Sequence, residues 1–412
     1  MISNCKSDFC IPAPKDYPFS MAVFSFCINM NSDAYAVYLA SKISNKSTKK
    51  YRKPYQLNRY FYQLAGLELD MEVVKWGDRL LLNVEFGLFH LNMAEKKRLK
   101  LYALAQDLLF EGQYEHGQFP QAFFEEEKAN QQKEIEMLMS NPIEWHFQLF
   151  MEKMFPNDPF RYSLLGTKEQ VRDCTNEEIG KIQKDFIQHS QRIPVLYGTF
   201  SEAETAYFQE LANQGKGLSE NPGIQVSRKP FVTYEEETTY QQTWVFLGYR
   251  HPIDQNHRLY PALHIYNQIL GKLPASVLYT RLREKSGLCY SIGSSLPFGK
   301  EVLFIIAGIA YQDKDIFLEE LEKALLSLSN FTKKQQYLKL AKNRILSNLQ
   351  GWKDYPMARL NFELEIKIKK ASYTYSSYIQ AIEKVTWEDL EEISRCLWLD
   401  TLYICKGNHK AR

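Results

Sequence analysis

Two apolar runs, Met21 to Cys27 and Val302 to Ala310, stand out in a chain whose other apolar residues mostly return every three or four positions. The short runs predict buried strands and the slower period predicts amphipathic helices. Phe317, Leu321, Leu325 and Leu328 fall on one face of such a helix, and Leu338, Ala341, Ile345 and Leu349 on one face of the next. Thr332 and Gln335 have the spacing of a cap for that second helix.

The pattern occurs twice. MAVFSFCINM from Met21 and TWVFLGYR from Thr243 open the two halves, and IPVLYGTF from Ile193 and TLYICKG from Thr401 close them. Gly66-Leu67 matches Gly287-Leu288 at a shift of 221, Gly77 matches Gly299 at 222, and CTNEEIGKIQKDF from Cys174 matches VTWEDLEEISRCL from Val385 at 211. Thr175 with Glu178 and Thr386 with Asp389 are spaced so that a hydroxyl and a carboxylate satisfy orphan amides at a helix start. These features predict an α+β fold of two homologous domains, each a mostly antiparallel sheet covered on one face by helices, in a clamshell arrangement. The expected boundaries are 1–205 and 238–412, joined by a polar linker over 206–237 that contains NQGKGLSENPG.

Composition narrows the function. With 412 residues and 45% hydrophobic content the chain can bury a large core, and a net charge of +2 argues against nucleic acid as a partner. The basic stretch from Lys42 to Lys53 reads as a solvated loop. Neither apolar run approaches the roughly 20 residues needed to span a bilayer. The first residues lack the pattern of a secretory signal, and seven cysteines without C-x-x-C read as free thiols. A cytoplasmic protein without membrane attachment is expected. P-loop, dinucleotide and nucleophile-elbow motifs are missing from the sequence.

LYTRLREKSGLCYSIG, from Leu278, sets Arg283 and Tyr290 seven residues apart around Gly287. Leu278 to Lys285 has helical spacing, Gly287 sits at a helix C-cap, and Leu288, Tyr290 and Ile292 alternate like a strand with Cys289 pointing the other way, a small core thiol. A guanidinium and a phenol from one corner can hold a peptide carbonyl or carboxylate. Spacing alone equally allows an Arg in a surface ion pair and a Tyr in the core.

LYTRLREKSGLCYSIGS resembles the second-domain signature of the pitrilysin/insulinase family of metallopeptidases, and PNDPFRYSLLGTKEQVRDCTNEEIGKIQKDF from Pro156 resembles the end of that family's first domain. The resemblance implies the duplicated α+β architecture. Active members bind zinc through H-x-x-E-H on a helix, with a Glu further along as third ligand. None of the eight histidines here, His90, His116, His146, His189, His251, His257, His264 and His409, belongs to such a motif. On the helix that starts at Ala34, Tyr38, Ser41 and Lys42 overlay the His, Glu and His positions, a set that cannot bind zinc well. Glu127 and Glu134 keep the seven-residue spacing of the third-ligand region, and Glu134 reads as a solvated helix carboxylate with the relic of a ligand as the alternative.

In the family, the residues that match Arg283 and Tyr290 help to bind the peptide backbone. First-half positions near Tyr62 and Leu69 do not duplicate the pair. The resemblance therefore implies a subunit with no metal and no catalytic residue of its own. Its expected partner is a zinc-bearing homologue in a heterodimer, with a peptide as substrate. A non-enzymatic, peptide-binding scaffold is the competing expectation. The cluster of His251, His257 and His264, at spacings of six and seven, reads as capping or core residues.

Overall fold

The computed structural model describes residues 8–13, 17, 19–64, 67–89, 94–110, 117–217, 228, 230–326, 328, 331–352 and 354–408. Gly66, His90, His116 and His409 lie outside them, as do 218–227 and 229 of the expected linker.

Two five-stranded sheets share one topology. The first comprises β1 (Cys10–Ile11), β2 (Phe19–Asn29), β3 (Leu67–Trp76), β4 (Arg79–Phe89) and β5 (Gln191–Tyr197), in the order β1-β5-β2-β4-β3. The second comprises β6 (Val232–Glu237), β7 (Thr243–Arg250), β8 (Cys289–Ser295), β9 (Val302–Ile309) and β10 (Trp398–Lys406), in the order β6-β10-β7-β9-β8. In each, only the outermost pair, β1 with β5 and β6 with β10, is parallel. The apolar runs at Met21 and Val302 are strands, as expected, and Gly77 and Gly299 mark the matching β3–β4 and β8–β9 connections with φ of 58° and 68°. A positive φ there suits glycine, which has no Cβ to clash. Thr175 and Thr386 cap the matching helices Asn176–His189 and Trp387–Cys396 by accepting the Glu178 and Asp389 amides.

Other local expectations shift. Thr332 is not the cap it was read as: the helix Lys334–Gly351 begins with the Tyr337 amide on the Lys333 carbonyl, which makes Lys333 the capping position. The stretch 206–237 contains more than a linker. The helix Glu202–Asn213, with Ser201 and Glu204 in a capping box, runs into its start, and β6 occupies its end. Cys10 is disulfide-bonded, so the thiols are not all free; Cys27, Cys174, Cys289, Cys396 and Cys405 are.

The chain packs into two compact units that are not contiguous halves. One holds 1–140, 162–222 and 352–367; the other holds 141–161, 223–351 and 368–412. Each unit thus takes in one segment from the opposite half of the sequence. In the second unit, the helix Pro142–Met154 lies on the face of the sheet formed by Phe246, Phe304 and Tyr403, where Phe150, Met151 and Met154 complete a buried aromatic cluster. The other face buries Val245, Leu247 and Ile305, with Tyr249 near Tyr266 of the helix Tyr260–Asn267. With both faces covered, β7 is apolar almost without interruption instead of alternating.

Polar contacts fix the same segment. His146 Nδ1 lies 2.9 Å from the Tyr403 hydroxyl, which donates to Glu236 at 2.8 Å. Lys300 Nζ reaches both Asp158 oxygens at 2.8 and 3.0 Å. Gly248 is where the helix comes closest, since a Cβ there would lie 2.2 Å from Met154 Sδ. Gly248→Ala should therefore lower stability by about 1–3 kcal/mol through overpacking, and the double change with Met154→Ala should recover part of the loss. Denaturant midpoints of the two variants check this, and equal stability of Gly248→Ala and the parent would refute the contact.

Candidate functional site

In the first unit the helix Ala34–Ser44 runs beside the helix Gln121–Ser140. Side chains seven residues apart on the second helix share a face two turns apart, and Glu127 and Glu134 use that face to meet the first. Tyr38 Oη donates to Glu134 Oε2 at 2.8 Å, and Lys46 Nζ pairs with Glu127 at 2.7 Å and Glu126 at 2.9 Å. Between them Gln131, 2% exposed, donates to the carbonyls of Tyr35 and Leu165. Ser41 Oγ turns back onto the Tyr38 carbonyl, and the Lys42 ammonium rests 5.1 Å from the centre of the Tyr38 ring.

This arrangement corrects the reading of Glu134 as a solvated carboxylate. It is half-buried and accepts the Tyr38 phenol. Burial, then the hydrogen bond and charge of Glu134, push the Tyr38 pKa far above the usual phenol range. Tyr38 is therefore a neutral donor, Ser41 is engaged with the backbone and Lys42 brings a positive charge. None of the three suits zinc, which takes thiolate, imidazole or carboxylate. Among the described residues no group of three His, Cys, Asp or Glu side chains is placed to hold a metal ion.

Close by, β3 and β4 pair Asp70 with Glu85 on one face, and Glu72 shares that face. Burial, followed by the charges of Glu72 and Asp70, raises the Glu85 pKa to about 7. Glu85 therefore holds its proton to a higher pH than an ordinary carboxylate.

The second-unit corner departs from a plain helix and strand. Tyr279–Lys285 is a π-helical turn, closed by the Ser286 amide on the Arg281 carbonyl at 3.1 Å and the Leu288 amide on the Leu282 carbonyl at 2.8 Å. Gly287 follows with φ of 63°, the left-handed conformation expected of a C-cap glycine. β8 pairs Cys289 with Ile309 and then Ser291 with Gly308, so Tyr290 is the extra residue of a β-bulge. The bulge breaks the expected alternation. Cys289 is buried, with its thiol pushed up to about 11 mainly by burial, while Tyr290 is 64% exposed.

Arg283 is exposed, and its guanidinium lies 4.9 Å from the centre of the Tyr279 ring. Two residues earlier, Arg281 pairs with Glu320; among the described residues no carboxylate holds Arg283. Neither the ion-paired Arg nor the core Tyr of the competing reading matches this geometry. Tyr279 escaped notice in the sequence, although its i, i+4 spacing to Arg283 is the signal that could have found it.

The three histidines serve the fold. His251 Nδ1 accepts the Ile253 amide and His257 Nδ1 the Leu259 amide. His264 lies against Tyr260 and Tyr378, and desolvation lowers its pKa to about 4.

Two variants test the first-unit geometry. Tyr38→Phe should cost about 1–2 kcal/mol by leaving Glu134 without its donor, and an unchanged denaturation midpoint would show that water replaces the hydroxyl. Glu85 has a folded pKa above its unfolded value, so its contribution to stability falls as pH rises from about 4.5 to about 7. Glu85→Gln should therefore melt higher than the parent at pH 8 by a few degrees, on the order of 1 kcal/mol after solvent screening, and the gap should close toward pH 4. A gap that persists at pH 4 would sink the assignment.

A family model described as the peptidase M16 inactive domain matches residues 150–345. The chain is 23% identical over 386 residues to the "Probable inactive metalloprotease YmfF" of Bacillus subtilis, covering 89% of this chain and 87% of that one. It is also 23% identical over 184 residues to an "Uncharacterized zinc protease YmxG" of the same organism, covering 43% and 44%. A crystal structure of a conserved protein from Enterococcus faecalis superposes with a TM-score of 0.89 at 18% identity, covering 97% of this chain and 96% of that one. The chain is thus similar to the peptidase M16 (pitrilysin/insulinase) family, with an inactive-domain model and an inactive metalloprotease among its matches, and its sequence carries no H-x-x-E-H motif.

Proposed function

We propose that this protein is the non-catalytic subunit of a two-subunit zinc peptidase. It pairs with a zinc-bearing homologue and orients a peptide, through Arg283 and Tyr290, in a cavity shared with that subunit. The observation that carries the reading is the Tyr290 bulge, which presents an exposed phenol on the strand that follows the π-helical turn carrying Arg283, itself exposed and neutralised by no described carboxylate. Bulges turn side chains out of the pleat, and they recur next to functional sites. Arg283 would hold a peptide carbonyl or terminal carboxylate through its fork of donors, and Tyr290 would add a hydroxyl. Their contribution would be positioning and charge support of the developing oxyanion.

Similarity to both an inactive metalloprotease and a zinc protease of one bacterium supports a pairing between relatives of unlike activity. In this reading the two homologous domains are the two units, each built on one five-stranded sheet, and the complex works in the cytoplasm. No helix among the described residues is long and apolar enough to cross a membrane.

The test is copurification with a zinc-bearing homologue, followed by peptide hydrolysis by the complex. Arg283→Ala should leave assembly intact and lower kcat/KM roughly ten- to a hundredfold, the loss expected for one charge-assisted hydrogen bond. Turnover at the parent rate would remove Arg283 from the site. Failure to recover any homologue would favour a scaffold that binds peptides alone.

A further inference from the structure

A cavity of about 540 Å³ opens in the first unit between the helices Asn176–His189 and Glu95–Phe110, remote in sequence from Arg283 and Tyr290. Volumes of this order accommodate small organic ligands. Leu109, Phe110 and Ile187 give it apolar walls, and Lys49, Lys181 and Lys184 line the same space. Leu109 and Ile187 are buried, whereas Phe110 is 39% exposed and the three lysines are solvent-accessible.

The helix residues that line the cavity are spaced by three or four, so one helical face forms a wall. That wall is set by backbone contact. Gly180 lies so near Gly117 that a Cβ would meet its carbonyl oxygen at 2.3 Å.

Among the described residues that line the cavity, three lysines face one carboxylate, Glu177. Among the described residues none of the three lysines is held in an ion pair or hydrogen bond. Behind Phe110, the Arg192 guanidinium lies 5.1 Å from the ring centre, with Gln214 as a hydrogen-bond partner at 2.9 Å and Nε buried without one. Lys49 also lies within a stretch, Ala34 to Leu67, that contains no Asp or Glu. An apolar pocket with surplus cations selects a ligand that is apolar in its body and anionic at one end.

We propose that this cavity binds a small amphipathic anion, its apolar portion against Leu109, Phe110 and Ile187 and its carboxylate or phosphate among Lys49, Lys181 and Lys184. The proposal stands independently of the peptidase reading.

The test is titration of the full chain with the fluorescent probe dansyl-undecanoate, followed by displacement. Decanoate and decyl phosphate should displace the probe, while decanol and inorganic phosphate at equal concentration should not. The triple variant Lys49→Ala, Lys181→Ala, Lys184→Ala, whose exposed positions spare the core, should bind at least about tenfold more weakly, a loss of about 1.4 kcal/mol. Affinity in the parent should also fall with added salt. Displacement by decanol as strong as by decanoate, or unchanged affinity in the triple variant, would overturn the proposal. Binding to anionic phospholipid vesicles without binding to monomeric decanoate would overturn it too, by making the lysines a membrane-facing patch and the cavity irrelevant.

Discussion

A sheet whose central strand is apolar on both faces has to be covered twice, and the second unit depends on that requirement. β7 buries Val245 and Leu247 on one side and Phe246 and Gly248 on the other. The helix Pro142–Met154, which covers the second side, comes from the first half of the chain. Leaving Phe246, Phe304 and Tyr403 exposed would forfeit roughly 1.5–3 kcal/mol per side chain. The packing therefore ties together segments nearly a hundred residues apart.

Polar groups refine this contact rather than drive it. Tyr403 is buried yet satisfied by His146 and Glu236, and Asp158 is buried yet paired with Lys300. Buried groups of this kind cost little when every donor and acceptor is met. The first unit follows the same rule with Glu204, fully buried but bound by both Arg98 nitrogens and the Tyr102 hydroxyl.

The helices Ala34–Ser44 and Gln121–Ser140 are held together by side chains rather than by a cluster of metal-ligating groups. Tyr38 of the first donates to Glu134 of the second, and Lys46, just past the end of the first, pairs with Glu127. The Tyr290 corner combines a π-helical turn, a left-handed glycine and a bulge in one short segment. Each is a departure from regular geometry, and such departures cluster where a side chain must be aimed.

Much of this was legible in the sequence because it rests on local rules. The duplicated strands, the Thr175 and Thr386 caps, the glycine at 287 and the buried Cys289 each follow from periodicity, capping chemistry or steric demand within a few residues. The lack of an H-x-x-E-H motif is likewise a matter of residue identity, read directly from the positions of the eight histidines. Only the tertiary structure decided that Glu134 meets Tyr38 across 96 positions, that Tyr290 is squeezed out of register, and that the 142–154 helix packs on the sheet of the other half. Those outcomes depend on which distant surface is available to pair with, and the pattern along a chain records that a face is apolar or a carboxylate present without recording what will meet it.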